Sequence, residues 1–338
     1  MSTLALPLRL EAHEPPEASG LDRADVAMLV ATRHDLELAH ARFRELPRFL
    51  SAGDLLVVNT SATLPAALEA RLGEKPLQLW LSTPTADGTW LVELRTSDRA
   101  PYPRAPVGAR LDLPGGAHAD LLASFARSER LLVCRFELDA PLEDYVHLHG
   151  QPIRYGHVPE RWPLEAYQTI FALEPGSAEM PSAGRPFTTA LVTELVAGGV
   201  LVAPVTLHTG LSSPERGEPP FPERFRVPVT TAKLANAVHA WNGRVIAVGT
   251  TVMRALETVA DPDGTLSEGR GWTTLVITPE RGIRAVDGLL TGWHEPSSSH
   301  LDLVEAAAGH ELLERSYGAA LAHGYRWHEF GDLHLILP

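Results

Sequence analysis

VIAVGTTVMRALE (residues 245–257) and VDGLLTGWHEPSSSHL (residues 286–301) share one form. Each opens with an apolar run short enough for a buried strand, at 245–248 and 288–291. Each then turns through small polar residues and starts what reads as a helix. In an open α/β sheet, ligands sit beyond the carboxyl ends of the strands, where helix N-termini point spare N–H groups at them. VLVAPVTLHTG (residues 200–210) ends in the same way, with His208 beside Thr206, Thr209 and Gly210. Strand–helix alternation of this kind after residue 145 predicts a layered α/β domain.

Upstream the texture changes. DLLVVN (residues 54–59) reads as one more buried strand, after the turn signal Ala52-Gly53. Residues 38–50 read as an amphipathic helix. From about 64 to 138, short β-type runs (LQLWLST, TWLVELRT, ARLDLP, LLVCRFEL) are separated by Gly, Pro, Asp and Ser at nearly regular spacing. That spacing predicts a small antiparallel barrel or sandwich. The expected organisation is an α/β main domain, a layered sheet with flanking helices, over 1–63 and 146–338. A small antiparallel β-barrel domain would be inserted at 64–145. YGHVPERWP (155–163) and SSPERGEPPFP (212–222) are rich in Pro and Gly, and read as connectors or as lids.

Composition excludes several classes. The chain has 338 residues, 44% of them hydrophobic, which is enough for about two globular domains. No apolar stretch reaches the roughly 18 residues of a membrane helix. The start, MSTLALPLRLEAHE, lacks the basic and apolar segments of a signal peptide. The single cysteine, Cys134, excludes an intrachain disulfide and a three-cysteine iron–sulfur site. It lies in an apolar strand and reads as a buried, inert thiol. A cytoplasmic location is the expectation. A net charge of −13 argues against a large nucleic-acid footprint, although it permits a local basic surface. The dinucleotide fingerprint, the P-loop and the nucleophile elbow are all missing. His147 and His149 are spaced as a possible metal pair, but without a further ligand at suitable spacing a surface strand is the better reading, and no metal is expected.

Within the strand-end strings, Gly249 lets the backbone approach a ligand, and Thr250 and Thr251 can cap the helix. Arg254 and Glu257, three apart, share a helix face. Asp287 precedes the strand at 288–291, and Gly292, Trp293 and His294 form the turn after it. Ser299-x-x-Asp302 fits a capping box. His294, next to an aromatic and a glycine in that turn, is the better histidine for chemistry, and His208 the second.

Taken together and in order, LPLRLEAHEP (6–15), SAGDLLVVNTSATLPAAL (51–68), YQTIFALEPGSAEMPSAGRPFTTALV (167–192), TLHTGL, AVGTTVMRALE, VDGLLTGWHEPSSSHL and YRWHEFGD (325–332) resemble the S-adenosylmethionine:tRNA ribosyltransferase-isomerase family of queuosine biosynthesis. The resemblance runs through nearly the whole chain. It implies transfer of the ribosyl part of S-adenosylmethionine, a co-substrate, to a 7-aminomethyl-7-deazaguanine base at the tRNA wobble position. Adenine and methionine would be released and an epoxycyclopentane formed. It implies tRNA as partner and no membrane.

Carried over by matching motif, His294 and His208 would move protons. Gly249, Thr250, Thr251 and Arg254 would hold polar groups of the donor, and Asp287 and Glu257 would orient their neighbours. Ser182, Gly184, Thr209, Gly292 and Asp332 would line the substrate. The chain departs from the family at several places. NNTRVIPARL stands here as NTSATLPAAL, with Ala62 and Ala67 in place of arginines. The segment 156–162 replaces PLPPYI. Arg185 and Pro186 replace Leu and His, MHSE appears as PFPE with only Glu223 kept, and TNFHLP is TGWHEP. These departures leave a small-molecule acceptor, or non-catalytic nucleoside binding, as alternatives to tRNA chemistry.

Overall fold

The strand Leu55–Asn59 is buried along its whole length. Its side chains alternate between two cores: Leu55 and Val57 join one, Leu56 and Val58 the other. A strand covered on both faces needs apolar residues in succession rather than in alternation, which is why DLLVVN reads as a continuous run. The structure is a computed structural model describing residues 7–102, 105–125, 128, 130–211, 220–295 and 300–338.

Nine strands form the main sheet, in the order Gly269–Thr273, Glu223–Val227, Leu201–Leu207, Leu55–Asn59, Val245–Val248, Gly288–Gly292, Leu333–Leu337, Ala27–Thr32, Leu38–Arg42. The four from Leu201–Leu207 to Gly288–Gly292 are mutually parallel, and their carboxyl ends therefore share one edge. Leu333–Leu337 runs antiparallel to Gly288–Gly292. On one face, Val238, Val252, Leu256, Val304 and Leu313 of the flanking helices pack on Val57, Val205, Ala247 and Leu289. On the other, Phe43, Leu46, Phe187, Leu191 and Leu195 cover Leu56, Ile246 and Leu290. Each such aliphatic side chain contributes about 1.5–3 kcal/mol on burial.

In chain order, a closed six-stranded barrel comes between Leu55–Asn59 and Leu201–Leu207. Its order is Leu131–Glu137, Trp90–Thr96, Lys75–Pro84, Ala67–Leu72, Arg110–Asp112, His118–Ser124. All of its pairings are antiparallel, and closure removes the exposed strand edges. Inside, Glu93 accepts from Arg95 and Arg130, and the Arg95 guanidinium sits 4.5 Å from the centre of the Trp80 ring. Cys134 is buried in this barrel, and burial pushes its thiol up to about 12. Two further strands, Ser61–Thr63 and Glu174–Ser177, pair beside the main sheet.

The helix expected over 38–50 is instead the edge strand Leu38–Arg42 followed by a 3₁₀ segment, Phe43–Phe49. Pro47 lacks the N–H an α-helix would use, and Leu38–Arg42 pairs antiparallel with Ala27–Thr32. His147 and His149 lie on a helix, Leu142–His149, not on a strand. Residues two apart on a helix point about 200° apart, and His149 is tilted against Tyr145 instead. The loop 212–222 is described only from Pro220, and Ser299 of the capping box lies outside the described residues. No helix among the described residues is long and apolar enough to cross a membrane.

Candidate active site

The chain after each of the four parallel strands turns at the shared edge and lines one cavity of about 440 Å³. From Leu55–Asn59 comes Thr63, and from Leu201–Leu207 come Thr209, Gly210 and Leu211. Val245–Val248 leads to Gly249, Thr250, Thr251 and Arg254, and Gly288–Gly292 leads to Trp293, His294 and Glu295. Gly249 makes the turn at φ 103°, ψ 150°, a conformation nearly restricted to glycine. A Cβ there would have room, 3.4 Å from the Thr251 hydroxyl, so strain decides. Gly249→Ala is expected to cost about 1–3 kcal/mol and to displace the first turn of the helix Thr250–Thr258. Urea unfolding and ligand affinity, measured together, check both effects.

Arg254, one turn into that helix, is 4% exposed. Its guanidinium pairs with the carboxylate of Glu223 and donates to the carbonyls of Leu275 at 3.1 Å and Phe221 at 3.4 Å. Glu223 also accepts from the Gly210 N–H at 3.2 Å. Burial raises the Glu223 carboxyl despite the charge of Arg254. His294 shares a hydrogen bond with the Thr291 hydroxyl at 2.9 Å, stacks on His300 with centroids 4.9 Å apart, and its carbonyl accepts from Tyr317. Burial, followed by the charges of the neighbouring histidines, holds its ring well below the usual 6.5. Burial also lowers His300 to about 4. Both rings are therefore neutral at working pH.

The sequence did not single out the opposite wall. Tyr155, His157, Tyr167, Glu179, His328 and Glu329 line it. The Tyr155 hydroxyl donates to Glu179, and its ring meets Trp80 of the barrel edge-on at 5.3 Å. The only sequence signal for this wall was that 156–162 departs from the family pattern. In YRWHEFGD the reading settled on Asp332 rather than on His328 and Glu329.

Of the residues expected at the site, Gly249, Thr250, Thr251, Arg254, Ser182, Thr209, Gly292 and His294 come together around the cavity. Five do not line it. His208 sits behind the wall, bonded to Ser61 at 2.8 Å, with Ser61 in turn 2.6 Å from Ser177. Gly176 leaves room for its ring, since a Cβ there would fall 2.4 Å from Nδ1. Burial, followed by the charge of Arg224, lowers His208 to about 4. Gly184 packs on Thr169 one residue beyond the lining Ala183. Glu257 lies two turns along its helix and does not pair with Arg254. It binds Arg281 and the N–H groups of Arg284 and Ala285. Asp332 accepts from the N–H groups of Ala27 and Arg326, both at 2.6 Å, and staples the chain ahead of Leu333–Leu337.

Asp287 is at the amino end of its strand, a strand's length of about 15 Å from the cavity edge. There it accepts from the Val245 N–H and meets His239 at 3.0 Å. The expected effect of Asp287→Ala is a lower melting temperature with turnover little changed. The hydrogen bond to Asp287 raises the His239 ring above 6.5 against the opposing effect of burial. Its stabilisation is thus complete below pH 6.5 and lost as pH rises through the raised value. Melting curves of both proteins from pH 5 to 9 would show a gap that narrows with rising pH.

The site thus lies at the carboxyl ends of parallel strands in an α/β chain that also carries a closed antiparallel barrel. Residues 3–336 match the family described as Queuosine biosynthesis protein, and the chain belongs to it. It is 37% identical to an S-adenosylmethionine:tRNA ribosyltransferase-isomerase of Acidiphilium cryptum over 96% of this chain and 97% of that one. It is 36% identical to the protein of that name from Thermus thermophilus, with the same coverage. The crystal structure of an S-adenosylmethionine tRNA ribosyltransferase from Thermotoga maritima superposes with a TM-score of 0.56, at 29% identity over 98% of both chains.

Proposed function

We propose that this chain transfers and isomerises the ribosyl part of S-adenosylmethionine onto the 7-aminomethyl-7-deazaguanine base of tRNA, giving epoxyqueuosine with release of adenine and methionine. The observation that carries the reading is the charge of the cavity. Four glutamates line it, Glu179, Glu223, Glu295 and Glu329, against Arg254 and the raised His157 among the described lining residues. A sulfonium and an ammonium are favoured in such a place, more so beside the rings of Tyr155, Tyr167 and Trp293. The volume is in the usual range for a nucleoside-sized ligand. The amides at the start of Thr250–Thr258 suit the carboxylate of the methionyl group. His294, uncharged, is able to take the acidic proton beside the sulfonium, and Thr291 fixes its ring.

Calorimetric titration with S-adenosylmethionine and with its uncharged analogue S-adenosylhomocysteine tests the reading. Binding of the sulfonium at least about tenfold tighter, or about 1.4 kcal/mol, is expected, and equal affinity would contradict it. A second reading, the same donor chemistry on a small-molecule acceptor, is favoured by Ala62 and Ala67, which stand where the family has arginines. Filter binding of tRNA over a salt series separates the two, because a phosphate-contacting protein loses affinity steeply with salt.

A further inference from the structure

Departure of adenine from a ribosyl carbon requires a proton for the leaving base, and most titratable groups lining the cavity are unsuited to supply it. His294 is neutral, as is His300. Burial and the charge of His157 bring His328 to about 4. Burial raises the hydroxyls of Tyr155 and Tyr167. Arg254 does not release a proton.

His157 is different in its geometry. Its Nε2 is 2.8 Å from the Glu329 carboxylate. Its ring lies nearly parallel to that of His328, with centroids 4.0 Å apart and planes 16° apart, and nearly parallel to that of Tyr155 at 6.1 Å. His13 holds its backbone carbonyl at 2.6 Å. His328 reaches its place with φ 74°, a left-handed backbone that side chains rarely adopt. With Nε2 committed to Glu329, Nδ1 is the ring nitrogen left for a ligand, and no hydrogen bond among the described residues engages it.

We infer that His157 donates the proton to the departing purine and that Glu329 is the positioning residue that keeps it charged. The inference rests on the proposed ribosyl transfer. The bond between ribosyl carbon and purine nitrogen breaks, and its electron pair leaves with the purine. A purine ring nitrogen takes the proton from His157 Nδ1. The imidazole becomes neutral, its Nε2–H still donating to the Glu329 carboxylate. The proton removed beside the sulfonium replaces the one given up, so turnover consumes no external acid. The charged and titratable groups around His157 are Glu329, Glu11, Glu295, His328, His13 and Tyr155. Burial alone would lower the His157 ring, but the hydrogen bond and charge of Glu329 outweigh it and raise the ring above 6.5.

The test compares adenine release by wild type, His157→Gln and Glu329→Gln, each in the presence of tRNA carrying the aminomethyl-deazaguanine base. Two donors are used: S-adenosylmethionine, and its analogue carrying the less basic 2-fluoroadenine. An unchanged circular dichroism spectrum and a cooperative thermal transition in each variant serve as the folding control. His157→Gln is expected to slow release from S-adenosylmethionine by about 10²- to 10⁴-fold. The deficit should be roughly tenfold smaller with the fluorinated base, which needs protonation less. Glu329→Gln should move the alkaline limb of the pH profile to lower pH. Equal deficits with both bases, or a variant within a few-fold of wild type, would overturn the role of His157 while leaving the ribosyl transfer intact. Wild type that releases no adenine with either donor would overturn both.

Discussion

Arg254→Ala is expected to be the most damaging single change in the protein. The guanidinium is the only charge bonded to Glu223 among the described residues, and both lie in the cavity wall almost out of solvent. Removing one partner of a buried ion pair leaves an uncompensated charge, at about 3–5 kcal/mol. Bonds to two carbonyls, of Leu275 and Phe221, are lost as well. The pH dependence has a definite sign. Burial already raises Glu223, and without Arg254 the carboxyl would rise further. A group whose folded pKa is raised contributes its stability at low pH and loses it as pH rises. The deficit of the variant is therefore full at neutral pH and shrinks as pH falls through the raised value. Urea unfolding at pH 7 and pH 5 measures this. Adding Glu223→Gln to Arg254→Met should recover much of the loss, since an uncharged pair has no buried charge to compensate.

His294→Ala is expected to leave the fold standing and to remove about 10²- to 10⁴-fold of the turnover. Its ring touches the cavity, is fixed by Thr291 and His300, and carries no charge for the sulfonium to repel. Trp293, its neighbour, is held by stacking on His334 with centroids 4.7 Å apart, so the turn has an anchor that the substitution does not touch. Unchanged binding of S-adenosylmethionine with lost adenine release is the expected pattern. Normal release would remove His294 from the chemistry.

What could be read in the sequence follows from where the signals are local. The run VIAVGTT places a strand, a glycine-only turn and a helix start within seven residues, and the structure has them at Val245–Val248, Gly249 and Thr250. The barrel was legible because each of its hairpins needs a turn residue, and those recur at regular spacing. The strand Leu38–Arg42 was not, because its pairing with Ala27–Thr32 is set by tertiary contact. At the site, residues within one turn of a strand's carboxyl end, such as Thr250, Arg254 and His294, were within reach of sequence reasoning. Asp287 was misplaced because a strand has two ends and the motif spans both. His157 and Glu329 are 172 residues apart in sequence. Nothing local announces that pairing, and only the packing of the Pro-rich segment against the C-terminal turn creates it.

The central claim is ribosyl transfer to tRNA, and its most direct test is release of adenine from S-adenosylmethionine, with and without tRNA carrying the aminomethyl-deazaguanine base. Release that depends on that tRNA, with the matching gain in mass on the base, is the result expected. Binding of S-adenosylmethionine with no adenine release in the presence of that tRNA would contradict it.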